Sequence, residues 1–447
     1  MATIRFNDAL ILAAKAVKAD LIPDNSDIRI VRDVYGRLRF AINCNADQFP
    51  VSARQYLEDI SRTLGAYSTN FEVMFRETFS NPEIVFNSPD WHATTVSSTN
   101  DSNGQLWEST ISVLDRQIIG QDWLNPNLSS EAHPHRVVFY GLKGGVGRST
   151  ALAMVAYGLA REGKHVLLLD FDLESPGLSG LLLPQDQVAE FGIVDWFVED
   201  AVGQAESILR NMVSHSPLAE TTTGSISVVA AMGQEESSYL SKLARVYVDV
   251  PSINGIQRFA KRMQHFVETI EKRVKPDVVL IDSRAGLHDV AAIAITSLSD
   301  TALLFATDSA QNWLGYKQLF GHWQKRPEIC KQVRDRLAIV QALAPKSDRE
   351  AKAKVFLNKA YELFSSTLYD EITPPVGAVD ESDIDSLSPF NPSMEDESAP
   401  HFPIRVDWDD VFQEFDAKIR PENGGVSDAE IEAKFGAIIG WVKSRVT

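Results

Sequence analysis

The sequence has 447 residues, of which 44% are hydrophobic and 23% are charged, as is ordinary for a globular protein with a sizeable buried core. Its formal net charge of −18 argues against broad, sequence-independent DNA binding, which relies on lysine and arginine. The two cysteines, Cys44 and Cys330, form no C-x-x-C pair, which excludes a disulfide framework, a zinc ribbon and a C-x-x-C cluster site. The sequence has neither a run of 18 apolar residues nor the apolar core of a signal peptide near its start, so we expect a cytoplasmic protein.

Residues 1–130 carry no motif that we connect with catalysis, and we interpret them as a separate small α/β or α+β domain of unknown role. Helices are predicted at 7–19 and 51–69 from their apolar spacing. The polar run 94–104 is predicted to be an exposed loop, and 125–134 the linker to the next domain.

Between the two predicted helices, apolar and polar residues alternate along 27–43 on either side of Gly36, which predicts a β-hairpin. Its arginines could line an anion-binding face or lie on a solvated face of the sheet; they are Arg29, Arg32, Arg37 and Arg39. The acidic composition of the chain favours the solvated face.

Residues 131–447 alternate between predicted strands and helices, the pattern of a mostly parallel, doubly wound α/β sheet. Within the helix at 193–202, Trp196 and Phe197 are expected in the core. The predicted strands are 137–140, 164–170, 225–231, 277–282, 301–307 and 337–345, and the other predicted helices are 151–160, 252–273 and 308–323.

The segment at about 370–403 holds nine acidic residues and six prolines but no lysine or arginine, which predicts an extended or poorly ordered insertion. After it, Ser427 and Glu430 form a plausible capping box for a final helix. That helix has one apolar face, which could bind lipid or pack onto the sheet, and its few basic residues favour packing. The face comprises Ile431, Phe435, Ile438, Ile439, Val442 and Val446.

The most informative stretch is the glycine-dense turn at 141–150 between the first strand and helix of this second domain. Glycines allow successive backbone N–H groups to face one anion, and the helix N-terminus adds partial positive charge. The usual phosphate loop, G-x-x-x-x-G-K-[ST], is missed twice, because Leu142 replaces its first glycine and Arg148 replaces its lysine. The sequence matches K-G-G-x-G-K-[ST] except at Arg148, with Lys143 as an early lysine.

Two acidic segments follow predicted strands in the order expected for a nucleotide site. Asp170 and Asp172 follow the second strand in a D-x-D pattern that leads to Pro176. Asp282 ends the later apolar strand and is followed by Arg284. Carboxylates at strand ends lie beside a phosphate loop in an open parallel sheet, where Mg²⁺ and an attacking water must be held.

Together these three segments resemble the deviant Walker A loop, switch and Walker B strand of the ParA/MinD/Mrp family of P-loop ATPases. The resemblance covers about residues 135–446 and implies a homodimer that binds ATP and Mg²⁺. It implies that the loop binds the nucleotide through Gly144, Gly145, Val146, Gly147, Arg148, Ser149 and Thr150.

The family also implies particular roles around the metal and the phosphates. Ser149 would ligate Mg²⁺, while Asp170 and Asp282 would hold waters of its shell. Asp172 would orient the attacking water, and Lys143 would reach the nucleotide of the partner subunit. Relatives also place a base-reading asparagine near the end of the strand at 337–345, where Gln341 is the nearest candidate.

Arg148 is the departure from the family pattern, because a planar, forked guanidinium does not replace a compact ammonium conservatively. The site could hydrolyse ATP slowly, bind nucleotide without hydrolysis, or be adapted to full activity. The presence of Lys143, Ser149 and Asp172 favours an adapted or slow Mg²⁺-dependent ATPase. Arg284 could add a cation near the γ-phosphate, but pairing with an acid is the favoured interpretation.

Four functions remain open at this stage. The favoured one is a dimeric ATP-dependent switch that gates an unknown protein partner. The runner-up is a non-catalytic nucleotide-sensing adaptor in a regulatory or phage-defence assembly. A bacterial-type tyrosine kinase, a family with similar loops and a tyrosine-rich tail, is disfavoured because no tyrosine follows Tyr369 in this sequence. A DNA- or membrane-positioning ATPase is disfavoured by the acidic charge and by the poorly basic final helix.

Overall fold

The computed structural model divides the chain into two compact units, one of residues 1–121 and 325–327 and the other of residues 122–324 and 328–447. Within them it describes residues 4–68, 72–88, 90–99, 106–117, 120–124, 132–234, 237–252, 255–371, 389–412, 415–417, 419 and 425–446. Much of the predicted linker and of the acidic insertion, residues 372–388 in particular, lies outside these ranges.

The smaller unit is an α+β domain built on a four-stranded mixed sheet. The sheet order is β2-β1-β4-β3, in which β1 runs antiparallel to β2 and parallel to β4. Apolar side chains of this sheet pack with those of two helices in one core, which includes Ala13, Phe40 and Leu57. The elements are α1 (Phe6–Val17), β1 (Ile28–Arg32), β2 (Leu38–Ile42), α2 (Val51–Thr63), α3 (Pro82–Phe86), β3 (His92–Thr99) and β4 (Leu106–Asp115).

The predicted hairpin is confirmed, but its arginines do not form an open cationic face. Arg29 bonds to Asp27 and to the Phe86 carbonyl, and Arg37 bonds to Asp33. The predicted exposed loop at 94–104 is wrong for 94–99, which belong to strand β3 and pair with residues 106–111 of β4. Their threonines and serines suit a strand with one exposed face, so their polarity alone was a misleading signal.

The larger unit is organised around an eight-stranded sheet of order β14-β13-β12-β5-β11-β6-β8-β7, parallel except for β7. Its strands are β5 (His135–Gly141), β6 (His165–Phe171), β7 (Ser214–His215), β8 (Ser225–Val229), β11 (Val278–Ser283), β12 (Thr301–Ala306), β13 (Leu337–Ala344) and β14 (Ile404–Asp407). A separate two-stranded ribbon contains β9 (Val250–Ser252) and β10 (Gly255–Gln257).

Helices cover both faces of the large sheet, as predicted for a doubly wound fold. Along β5, Val138 and Tyr140 contribute to one core and Val137 and Phe139 to the other, because successive side chains point to opposite faces. The helices are α4 (Arg148–Arg161), α5 (Leu178–Leu182), α6 (Ile193–Ala201), α7 (Tyr239–Leu243), α8 (Phe259–Val274), α9 (Asp289–Ile293), α10 (Ala310–Gln324), α11 (Pro327–Arg334), α12 (Arg349–Thr367) and α13 (Asp428–Val446).

In this unit one predicted boundary is corrected, and one strand was not predicted. The helix predicted at 252–273 begins only at Phe259, because the residues before it form the β9–β10 ribbon. Strand β14, which was not predicted, pairs with the strand predicted at 337–345 at the sheet edge. Short edge strands carry too few residues to show a clear period.

The final helix packs on the sheet domain, as favoured from its sequence. Ile431, Phe435, Ile438 and Val442 are buried in the same core as α4. The predicted capping box is confirmed, because the Ser427 N–H and hydroxyl both donate to the Glu430 carboxylate. Among the residues that the structure describes, no helix combines the length and apolarity needed to cross a bilayer.

The last part of the acidic segment, residues 389–403, is folded rather than extended. His401 is fully buried, and its Nδ1 and Nε2 lie 2.5 Å from the Tyr369 hydroxyl and 3.1 Å from the Met394 carbonyl oxygen. Phe390 packs against the Tyr369 ring. The prediction of an extended or poorly ordered segment rested on its many acids and prolines. The observed packing depends instead on its few apolar and aromatic residues.

Candidate functional site

The glycine loop between β5 and α4 has a backbone that only glycine adopts readily. Gly145 and Gly147 have φ angles of 74° and 76°, and Gly147 is the N-cap residue of α4. A Cβ added at Gly147 would lie 3.3 Å from the Leu343 side chain, so the loop is also closely packed there. A glycine-rich turn that leads directly into a helix N-terminus is the local structure that anion binding requires.

Two predicted acids lie next to each other at the ends of neighbouring strands. Asp170 on β6 and Asp282 on β11 are partners in the parallel register, and both are essentially unexposed. Asp170 accepts hydrogen bonds from the backbone N–H groups of Asp172 and Leu178, at 3.1 and 3.2 Å. The structure thus brings the D-x-D segment and the Walker B-like strand together.

Arg148 points into this acidic cluster. Its Nε donates to Asp282 Oδ1 at 2.5 Å, and its Nη2 donates to Asp172 Oδ2 at 2.8 Å. The side chain is 8% exposed, and its buried Nη1 has no hydrogen-bond partner in the described part of the chain. The residue that replaces the loop lysine therefore cross-links both acidic segments.

Ser149 also contacts Asp282, because its hydroxyl donates to Asp282 Oδ2 at 2.6 Å. Each Asp282 oxygen is thus engaged by a residue of the loop. Thr150 is half-buried in the first turn of α4, whereas Lys143 is exposed at the start of the loop. In the loop itself, Gly144 and Gly145 are exposed and Val146 is buried.

Burial changes the ionisation of the two strand-end acids. It raises the pKa of Asp170 to about 8, and the charge of Asp282 adds to the effect. Burial also raises the pKa of Asp282, although the Arg148 guanidinium opposes that shift. A cation in this cluster is therefore stabilising, because it offsets the cost of removing carboxylates from water.

The cluster has the chemistry of a Mg²⁺ site that is completed by phosphate. The described residues contain no group of three or more His, Cys, Asp or Glu side chains that could hold a metal by themselves. Mg²⁺ commonly binds through one or two carboxylates together with substrate phosphates. Ser149 and Asp282, in contact beside the glycine loop, fit that arrangement.

The segment after Asp172 is held by residues that sequence reasoning missed. The Tyr239 hydroxyl donates to the Leu173 carbonyl at 2.6 Å, and the Tyr247 hydroxyl donates to the Glu174 carboxylate. Arg284 also pairs with Glu174, so the expectation that Arg284 pairs with an acid is confirmed. The tyrosines lie more than 60 positions further along the chain, so no local spacing could have identified them.

Gln341, the candidate for reading a base, is 4% exposed and lies within β13. Its neighbours in register are Ala306 on β12 and Arg405 on β14. This burial inside the sheet argues against the predicted role. Strand β14, which pairs with β13 beside Gln341, was not predicted from the sequence.

Comparison with known families identifies the central part of the chain. Residues 137–294 match the model of the CobQ/CobB/MinD/ParA nucleotide binding domain. These residues are therefore a nucleotide-binding domain of that family, and they contain the glycine loop and all three acids described above.

Individual relatives give a more specific likeness. The chain is 29% identical over 165 residues to the septum site-determining protein MinD of Helicobacter pylori, a match that covers 37% of this chain and half of MinD. A ParA family ATPase from Chlorobium tepidum is 15% identical, with a TM-score of 0.41 and coverage of 69% of this chain and 98% of that one. A chain of the MinC:MinD cell division protein complex of Aquifex aeolicus is 16% identical, with a TM-score of 0.39 and coverage of 70% of this chain and 95% of that one.

Proposed function

We propose that the chain is an ATP-binding, Mg²⁺-dependent ATPase that acts as a dimeric switch and gates a protein partner. The main observation behind this proposal is that two residues at the end of the glycine loop, Arg148 and Ser149, each donate a hydrogen bond to Asp282. The match of residues 137–294 to the nucleotide-binding family supports it. The matched part covers half of the curated MinD relative, so the activity and partner belong to the proposal.

In this proposal the glycine loop holds the phosphates through its backbone N–H groups, and Thr150 contacts the α-phosphate. Ser149 would ligate the metal, and Asp170 and Asp282 would hold waters of its shell. Bound Mg²⁺ would neutralise charge on the phosphates and on the transferred group. Asp172 orients the attacking water once Arg148 has released it.

In this proposal the two states of the switch differ in the position of the Arg148 guanidinium. In the described arrangement its guanidinium is bonded to Asp172 and Asp282, which are the groups that the metal and the water need. Mg²⁺ and ATP would compete with these ion pairs, and the guanidinium would then leave the acids and turn towards the phosphates. This exchange would move the segment from Asp172 to Glu174, which is the means by which the site could signal to a partner.

In this proposal Lys143 contacts the nucleotide that is bound to the partner subunit. Its side chain is exposed at the start of the loop, where it is free to reach a nucleotide across a dimer interface. Two cations and a metal ion around the γ-phosphate form a sensible set for a reaction that depends on electrostatic stabilisation.

A non-catalytic nucleotide sensor is the second candidate, and the Arg148–Asp172 ion pair favours it specifically. The bond of 2.8 Å occupies the carboxylate that would orient water. If Arg148 keeps this contact when nucleotide is bound, the protein binds ATP and changes shape without hydrolysing it.

Turnover of ATP by the full chain with Mg²⁺ tests the proposal, with Asp172→Ala and Lys143→Ala as variants. We expect each variant to lose at least about 99% of turnover while binding of a non-hydrolysable ATP analogue persists, because general-base and cation contributions are typically about 100-fold or more. Lys261→Ala, which removes an exposed lysine on α8, is the matched control. Absence of turnover with intact analogue binding would support the sensor instead, and absence of binding would refute both.

A further inference from the structure

A cavity lies at the end of the large sheet opposite the acidic cluster. It has a volume of about 640 Å³ and opens where β6 and β8 begin, with His165 and Ser225, the first residues of these strands, in its wall. Asp170 is five residues beyond His165 along β6, and at ~3.3 Å per residue the cavity lies ~17 Å from the acidic cluster. One ligand group cannot occupy both places, so this cavity is a separate feature.

The charged residues that line the cavity are all cationic. Arg210 comes from the segment before β7, while Arg273 and Lys275 come from the end of α8. None of the three side chains forms an ion pair with a carboxylate of the described residues. In a protein with a net charge of −18, three cations without acidic partners around one cavity are a marked local exception.

The backbone at Lys275 also indicates a role for its side chain. This residue ends α8 in the left-handed region, with φ 53° and ψ 56°, and its N–H donates to the Glu271 carbonyl at 2.7 Å. Glycine is the usual residue at such a helix end, because a side chain there adds strain. Lys275 adopts this strained conformation, and its ammonium group lies at the cavity.

Two histidine–serine pairs complete the polar lining. His165 Nδ1 lies 2.9 Å from the Ser225 hydroxyl, and His215 Nδ1 lies 3.4 Å from the Ser227 hydroxyl. When each serine donates to Nδ1, the imidazole carries its proton on Nε2 and can donate it to a ligand. Asp277, two residues after Lys275, accepts from the His165 backbone N–H at 2.7 Å.

We propose that this cavity binds a small phosphate-bearing anion at a site distinct from the nucleotide loop. The three cations, from two elements, can surround a tetrahedral dianion, and imidazole N–H groups supply further directional donors. The volume suits a ligand up to the size of a mononucleotide. Strand β6 runs from this cavity to Asp170. An anion bound in the cavity would therefore contact the beginning of the strand that ends at the acidic cluster.

Histidine-selective NMR of the full chain tests the proposal. The Cε1–H signals of the nine histidines would be followed during titration with inorganic phosphate and with pyrophosphate, and His165→Asn and His215→Asn would assign two of them. We expect these two signals to move saturably, with the same apparent affinity. In Arg210→Gln/Arg273→Gln the affinity should fall at least about tenfold, because two charge-assisted contacts are lost.

Lys261→Gln is the matched control, since it removes an exposed cation from the same helix as Arg273. It should leave the titration unchanged. The proposal is overturned if neither signal moves by 20 mM phosphate or pyrophosphate, or if the double variant binds as tightly as the wild type. It is equally overturned if only a DNA oligonucleotide moves the signals. The NMR readout needs no ATP turnover, so its failure is distinguishable from failure of the proposed ATPase.

Discussion

Replacement of Arg148 by alanine should destabilise the larger unit and make it respond to Mg²⁺. The substitution removes a guanidinium that is 8% exposed and is bonded to Asp172 and Asp282, which are themselves 15% and 2% exposed. Breaking a buried ion pair by deleting one partner typically costs about 3–5 kcal/mol, because the remaining charge stays desolvated. Asp172 is partly solvated, so we expect about 3 kcal/mol for Arg148→Ala.

The substitution Arg148→Lys distinguishes the contribution of the positive charge to stability from that of the forked shape of the guanidinium. An ammonium keeps the positive charge but has no fork with which to bridge two carboxylates. The loss of one of two charge-assisted hydrogen bonds corresponds to about 1.5–3 kcal/mol at most. We expect the lysine variant to lie between the alanine variant and the wild type in its free energy of unfolding.

Urea unfolding followed by tryptophan fluorescence measures both effects, since Trp196 and Trp323 are buried in the larger unit. With 10 mM MgCl₂ present, Arg148→Ala should gain more stability than the wild type, because the metal can bind the acids that the arginine has vacated. Arg161→Ala is the control: it lies on the same helix, its ion pair is exposed, and it should cost less than about 1 kcal/mol. Equal destabilisation by the two alanine variants, or no extra effect of Mg²⁺, would refute this reasoning.

Three other substitutions test the packing around the site. Gly158→Ala would place a Cβ 2.6 Å from Ile439 Cγ2 and should cost about 1–3 kcal/mol of unfolding free energy, a loss that Ile439→Ala would partly reverse in a double-mutant cycle. Glu271→Gln leaves the buried Arg136 guanidinium without its carboxylate, whose two bonds are 2.7 Å long, and should cost about 3–5 kcal/mol; a loss below 1 kcal/mol in urea unfolding would contradict this. Burial lowers the pKa of His401, so the free energy of unfolding should fall as the pH decreases below about 6.5, where only the unfolded state takes up the proton. His401→Gln should flatten that decline between pH 7 and 5. A pH profile that the variant leaves unchanged would contradict this prediction.

The sequence alone determined the larger unit's principal strands and the identity of its loop. Buried parallel strands appear as continuous apolar runs, so β5, β6, β11, β12 and β13 were predicted within a few residues. Glycines, a following helix and strand-end acids lie at fixed local positions, and for that reason the elements of the candidate phosphate site were recognisable one by one. The apolar face of α13 likewise predicted its packing.

Only the tertiary structure decided how these pieces meet. The Arg148 contacts join residues 24 and 134 positions apart, and no local pattern encodes which acid a long, forked side chain will reach. The tyrosines that hold Leu173 and Glu174, and the cationic cavity beside β6, likewise arise from segments far apart in the chain. Strand β3 was missed for a related reason, because its polar residues acquire strand character only through pairing with β4.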